Sequence, residues 1–213
     1  MITSGPILKK DNHTIVKNVV PEAFCALLAD YTRFKANARP NIKKNIDPLD
    51  NVHREYGDPM MELLLEKLTP IVEQATGLEL WPTLSFYYVY KHGTQLRKHK
   101  DRSSCQFVAG IVIGTDETFK AQQHTWPLML TLQGKAKAVA LEIGDVLIFK
   151  GHETEHWREV FSGNWFSSAI FGYVDKNGPF AFQKYDQRAA LGKPHVGMFR
   201  WSLQCLIQKY RLR

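Results

Sequence analysis

The chain has 213 residues, 44% of them hydrophobic and 23% charged, with a formal net charge of +7. These are the proportions of a soluble globular protein, and the length suits one domain, 1–213, with a substantial core. The longest near-continuous apolar run, FVAGIVIG at 107–114, is too short to cross a bilayer, so no membrane partner is expected. The N-terminus lacks the basic-then-apolar layout of a secretory signal. Cys25, Cys105 and Cys205 are odd in number and widely spaced, which argues against a disulfide framework or a Cys-type zinc site. A reducing cytoplasm is the expected setting. The basic residues fall in small clusters, RPNIKKN, RKHKDR and KYRLR, without interleaved aromatics. A solvated surface is therefore expected ahead of a nucleic-acid partner.

The first half reads mainly as helix. PEAFCALLADYTRFK opens on Pro21, suited to a first turn, and sets Phe24, Leu27, Leu28 and Tyr31 on one stripe. DPMMELLLEKLTPIVEQATG starts on the cap pair Asp58 and Pro59 and stops at Gly77; Pro70 inside it predicts a kink or a break. From residue 82 the period becomes that of strands. TLSFYYVYK, CQFVAGIVIG, PLMLTLQG, AVALEIG, DVLIFKG, HWREVF and FSSAIFGYV are rich in β-branched and aromatic residues. Short antiparallel strands preceded by helices predict an α+β, mainly β fold. A sandwich or barrel at about 82–175 would carry a helical support, about 15–80, on its outside. In the tail at about 176–213, MFRWSLQCLIQKYRLR is expected to form a basic amphipathic helix packed on the domain.

Two motifs compete for the chemistry. His152–Glu153–Thr154–Glu155–His156 matches H-E-x-x-H, which in a zinc protease sets two histidines one helical turn apart. The surroundings disfavour a helix: GDVLIF before it reads as a turn and a buried strand, HWREVF after it alternates, and Glu159 stands where a metzincin has Gly. The other motif is His99-Lys100-Asp101. On an extended chain, residues i and i+2 point the same way, so this imidazole and carboxylate can reach one metal. With His156 from a later strand they would form a two-histidine, one-carboxylate set of the kind that holds Fe(II) with three positions open.

The stretch from about Leu84 to Val174 resembles the Fe(II)/2-oxoglutarate-dependent oxygenases, especially the prolyl-hydroxylase-like group. FYYVYKHGTQLRKHKD is similar to their aromatic strand, Gly-containing turn and H-x-D. GDVLIFKGHETEHWREVFSGNWFSSAIFGYV is similar to the Gly-Asp turn, apolar strand, distal His and closing strand. The resemblance implies a double-stranded β-helix (jelly-roll, cupin-like) core. It implies Fe(II) held by His99, Asp101 and His156, with 2-oxoglutarate and O2 as cosubstrates. Tyr90 would meet a 2-oxoglutarate carboxylate, or be a core aromatic. The basic residue that the family places nine or ten positions after the distal His is missing: Trp165 and Phe166 stand there, although Ser167 keeps the serine of the R-x-S pair. Arg158, two residues past His156 on the same side of a strand, could supply the charge or be a surface ion-pair partner. Arg102 and Arg97, flanking the motif, are second choices for cosubstrate or substrate. The implied reaction is hydroxylation, or another oxidation, of a C–H bond, and the intact Asp101 disfavours halogenation. A small-molecule substrate is expected ahead of a protein side chain. A non-catalytic jelly-roll metal-binding module is the reading from a different class.

Overall fold

A computed structural model describes residues 8, 12–38, 52–122 and 125–193. Among the described residues, ten strands form two antiparallel sheets. They are β1 (His13–Val16), β2 (Val52–Tyr56), β3 (Leu80–Lys91), β4 (Leu96–His99), β5 (Phe107–Thr115), β6 (Leu128–Leu132), β7 (Lys135–Val139), β8 (Val146–Phe149), β9 (His156–Arg158) and β10 (Trp165–Asp175). The larger sheet has the order β1-β8-β5-β10-β3-β2, and the smaller β4-β9-β6-β7. This is the expected double-stranded β-helix core. Two long helices, α1 (Glu22–Ala38) and α2 (Pro59–Thr76), precede most of it, and a short α3 (Glu117–Ala121) follows β5. None of the described helices is long and apolar enough to cross a membrane.

The period-two alternation of the central strands sorts side chains between two cores. Tyr87, Val89, Ala109, Ile111, Ala169, Phe171 and Tyr173 face outward and pack with α1 and α2. Leu84, Val108, Leu147, Phe149 and the half-buried Ile170 face the smaller sheet and meet Leu130. Each fully buried Val, Leu, Ile or Phe among them stabilises the fold by roughly 1.5–3 kcal/mol, each alanine by less.

The helices depart from expectation in two respects. The buried stripe of α1 is Cys25, Leu28, Ala29 and Thr32, while Leu27 is 63% exposed. Small residues on that stripe let the helix lie against β5, where a Cβ on Gly114 would come within 3.0 Å of the Ala29 Cβ. Helix α2 runs through Pro70 as one assigned helix rather than two pieces. Its ends are as predicted: the Asp58 carboxylate accepts the Met60 and Met61 amides, and Gly77 closes it in the left-handed region, φ 71°. Strands β1, β2 and β4 lie outside the predicted set, and the strand expected at AVALEIG is instead Lys135–Val139. The predicted tail helix at MFRWSLQCLIQKYRLR lies outside the described residues.

Candidate metal centre

Strands β4 and β9 are antiparallel neighbours, and their register sets His99 directly opposite His156, ring centroids 4.3 Å apart. Asp101 follows the end of β4, where its backbone N–H donates to the Gly151 carbonyl at 3.0 Å. The ligand atoms of His99, Asp101 and His156 all lie within 4.8 Å of one another. Each carboxylate oxygen of Asp101 faces one imidazole: Oδ1 is 3.6 Å from His99 Nε2, and Oδ2 is 3.6 Å from His156 Nε2.

The outer nitrogens fix the tautomers. His99 Nδ1 lies 2.8 Å from the Arg97 carbonyl and His156 Nδ1 2.9 Å from the Thr154 carbonyl. A carbonyl only accepts, so both Nδ1 atoms carry the proton and both Nε2 lone pairs point inward, the arrangement of metal-binding histidines. The Asp101 carboxylate favours the protonated form of His99 and raises its pKa above the ordinary value, whereas burial lowers that of His156. Oδ2 of Asp101 is buried with no hydrogen-bond partner among the described residues. A carboxylate oxygen left that way is costly unless a cation meets it. The three residues therefore fit a divalent metal, and two imidazoles with one carboxylate suit non-haem Fe(II). Gly151 makes room for them: a Cβ there would stand 2.5 Å from Asp101 Oδ2 and 2.9 Å from the Cys105 carbonyl oxygen.

The triad opens into a cavity enclosing about 630 Å³ of non-atom space, part of it open to solvent. Its walls are largely aliphatic, from Val108, Leu128, Leu141 and Leu147, and besides the triad the polar side chains of Tyr88, Tyr90, Arg158 and Ser168 line it. Arg158 is buried, hydrogen-bonded to the Trp126 carbonyl, with its guanidinium 4.8 Å from the Trp126 ring centroid and 5.0 Å from that of Phe166. No carboxylate among the described residues pairs with it, and burial lowers its pKa to about 10. Burial likewise pushes the Tyr90 phenol up to about 12, and its hydroxyl meets Ser168.

Three expectations need correcting. Ser167 does not face the cavity: alternation on β10 sends it outward, where its hydroxyl lies 2.9 Å from Thr32 Oγ1, and Ser168 lines the cavity instead. Arg102 is directed at Asp186, 2.7 Å away, not into the cavity. The exposed Arg97 side chain does not line it either; that residue serves the site through its backbone carbonyl. The zinc-protease arrangement is overturned as well. Residues 151–154 form turns and a bend before β9 begins at His156. His152 points at the Gln106 carbonyl and the Phe180 ring rather than beside His156.

No family model matches the sequence, and no curated protein matches it. Solved structures do. A Pseudomonas putida prolyl-4-hydroxylase aligns at TM-score 0.61 and 18% identity over 79% of this chain and 95% of that one. HygX from Streptomyces hygroscopicus aligns at 0.60 and 11% over 80% and 85%; its structures hold nickel with 2-oxoglutarate, in one case with hygromycin B as well. A 2OG-Fe(II) oxygenase family oxidoreductase from Burkholderia pseudomallei aligns at 0.57 and 14% over 80% and 88%. The chain thus carries the double-stranded β-helix fold of the Fe(II)/2-oxoglutarate oxygenases, prolyl 4-hydroxylases among them.

Proposed function

We propose that the protein is an Fe(II)- and 2-oxoglutarate-dependent oxygenase that hydroxylates, or otherwise oxidises, a C–H bond of a small molecule. The observation that carries this is the convergence of His99, Asp101 and His156 with both Nε2 atoms turned inward and one carboxylate oxygen unsatisfied. Bound there, Fe(II) with 2-oxoglutarate and O2 supplies oxidation of a C–H bond, 2-oxoglutarate leaving as succinate and CO2. The chain's own part is positional. The Arg97 and Thr154 carbonyls hold the two imidazole tautomers. Arg158, unpaired by any described acid, offers a planar fork to the far carboxylate of 2-oxoglutarate, with the Tyr90 hydroxyl beside it. The aliphatic wall keeps water away, which strengthens that pairing.

Arg158 supplies the charge missing at Trp165 and Phe166, and this favours an enzyme over a non-catalytic metal-binding module. A concave, largely apolar cavity favours a small-molecule substrate over a protein side chain. The test is anaerobic addition of Fe(II) and 2-oxoglutarate, which should produce a weak visible charge-transfer band, followed by a screen of small molecules for substrate-dependent succinate release. Absence of the band would overturn the proposal.

A further inference from the structure

Beyond β10 the chain returns to the metal loop. Residues 176–193 pack against β3 and carry, within Ala181–Gln187, two short 3₁₀ turns that meet at a kink. Within that span Tyr185, Asp186 and Gln187 all have left-handed backbones, φ 53°, 54° and 61°. Three successive non-glycine residues in that region are unfavourable and persist only where their surroundings enforce them. What the strained turn achieves is visible at its centre. The Asp186 side chain, 3% exposed, accepts hydrogen bonds from Arg102 Nη2 at 2.7 Å and from the Tyr56 hydroxyl at 2.8 Å. The turn is locked from behind by Arg188, which donates to the Tyr185 and Thr83 carbonyls and pairs with buried Glu62 at 2.5 Å.

Arg102 is the neighbour of the metal ligand Asp101. Only two register pairs, Leu96 with Arg158 and His99 with His156, join β4 to the rest of its sheet, and the chain beyond His99 leaves the strand. There Asp101 has one backbone hydrogen bond, to Gly151. Beyond it the Arg102 carbonyl accepts from the Cys105 N–H at 2.9 Å and the Ser104 carbonyl from the Thr83 hydroxyl, while the first side-chain tie is the Arg102 guanidinium on Asp186, reinforced by Gln183 Nε2 donating to Ser103 Oγ at 3.3 Å. We infer that Asp186 is a positioning residue: through Arg102 it holds the backbone that aims the Asp101 carboxylate at the metal. This rests on the metal-dependent reading above. It also gives the strained turn a purpose that fold stability alone does not require.

The test uses the full chain, metal-free, titrated with Co(II) alone and followed by visible absorption. Outer partners of metal ligands affect affinity about 10–100-fold when removed. Asp186→Asn and Arg102→Gln should each weaken Co(II) binding about tenfold, and the double variant by clearly less than the two losses combined, because both act on the shared Arg102–Asp186 contact while Asp186 also holds the Tyr56 hydroxyl. Asp186→Glu, which keeps the charge, should stay within about threefold of the parent. Arg102 is 56% exposed, so its variant is expected to fold. At saturating Co(II) both variants should show a changed absorption envelope, the sign of a displaced ligand. A merely structural role would lower the melting temperature of the metal-free protein and leave that envelope intact, which would overturn the inference. Parental affinity in both variants, or losses that add in the double, would overturn it too. Failure of the parent chain itself to bind Co(II) would instead remove the metal-dependent reading.

Discussion

Arg158→Met separates a ligand-binding arginine from a structural one. The substitution keeps most of the volume and removes the charge. Burial lowers the Arg158 pKa from its ordinary value to about 10, which corresponds to roughly 3 kcal/mol of desolvation cost carried by the charged form. For a cation this cost applies in full below pH about 10 and is relieved only as pH rises above it, so a measurement at pH 7–8 sees all of it. Against it stand a charge-assisted hydrogen bond to the Trp126 carbonyl, about 1.5–3 kcal/mol, and the faces of Trp126 and Phe166, about 1 kcal/mol. The two sides nearly cancel. The metal-free variant should melt within about 4 °C of the parent, because 1 kcal/mol moves a chain of this size by about 2–4 °C. The cosubstrate side does not cancel. Removing the guanidinium from a buried carboxylate pair costs about 2–5 kcal/mol, a loss of 30-fold to several thousand-fold in 2-oxoglutarate affinity. Titration of the charge-transfer band under anaerobic Fe(II), beside a thermal melt without metal, reads both quantities. A 2-oxoglutarate affinity within threefold of the parent would refute the assignment of Arg158.

Three further outcomes are expected. Gly151→Ala should lower the melting temperature through about 1–3 kcal/mol of overpacking and weaken Co(II) binding, because the new methyl collides with Asp101 Oδ2; calorimetry showing parental metal affinity would contradict this. His152→Ala should leave metal loading unchanged, since His152 faces Gln106 and Phe180; metal analysis showing a lost ion would return this histidine to the site. Asp145 is buried, which pushes its pKa up, but Lys17 and the Asn18 and Glu142 amides outweigh this and hold it below the usual carboxylate range. A depressed acid stabilises the fold above its unfolded pKa of about 3.9 and loses that contribution as pH falls through its folded value. Asp145→Asn should therefore melt well below the parent at pH 7, and the gap should narrow below pH 4; a gap constant from pH 7 to pH 3 would refute the linkage.

The features legible in the sequence were those set by local rules. The Asp58 cap, the Gly77 stop and the strand runs of β3, β5, β8 and β10 follow from capping and period-two patterning. His99 and Asp101 were readable as a pair because an extended chain turns i and i+2 to one side, and His156 because the same strand logic rejects a helix at 152–156. The misreadings have tertiary causes. Ser167 was selected by its distance from a basic residue that is not there, whereas counting alternation from Phe166 would have picked Ser168. Arg102 was read as a second choice for cosubstrate or substrate because its partner, Asp186, lies 84 residues later on a left-handed turn that no propensity signals. Strands β1 and β2 are short and largely polar, and become strands because β8 and β3 offer them an edge.

The place of β4 at the rim of the smaller sheet explains why RKHKDR is so basic. A rim strand offers unpaired amides and carbonyls to any passing β-segment, and lysine or arginine along it deters such addition. Arg97, Lys98 and Lys100 are exposed there; Lys98 also pairs with Glu155 and lies over the Trp157 ring. The positive cluster thus deters strand addition along the segment that carries His99 and Asp101. Exchanging those three side chains for valine or threonine would be felt first as aggregation, before any loss of chemistry.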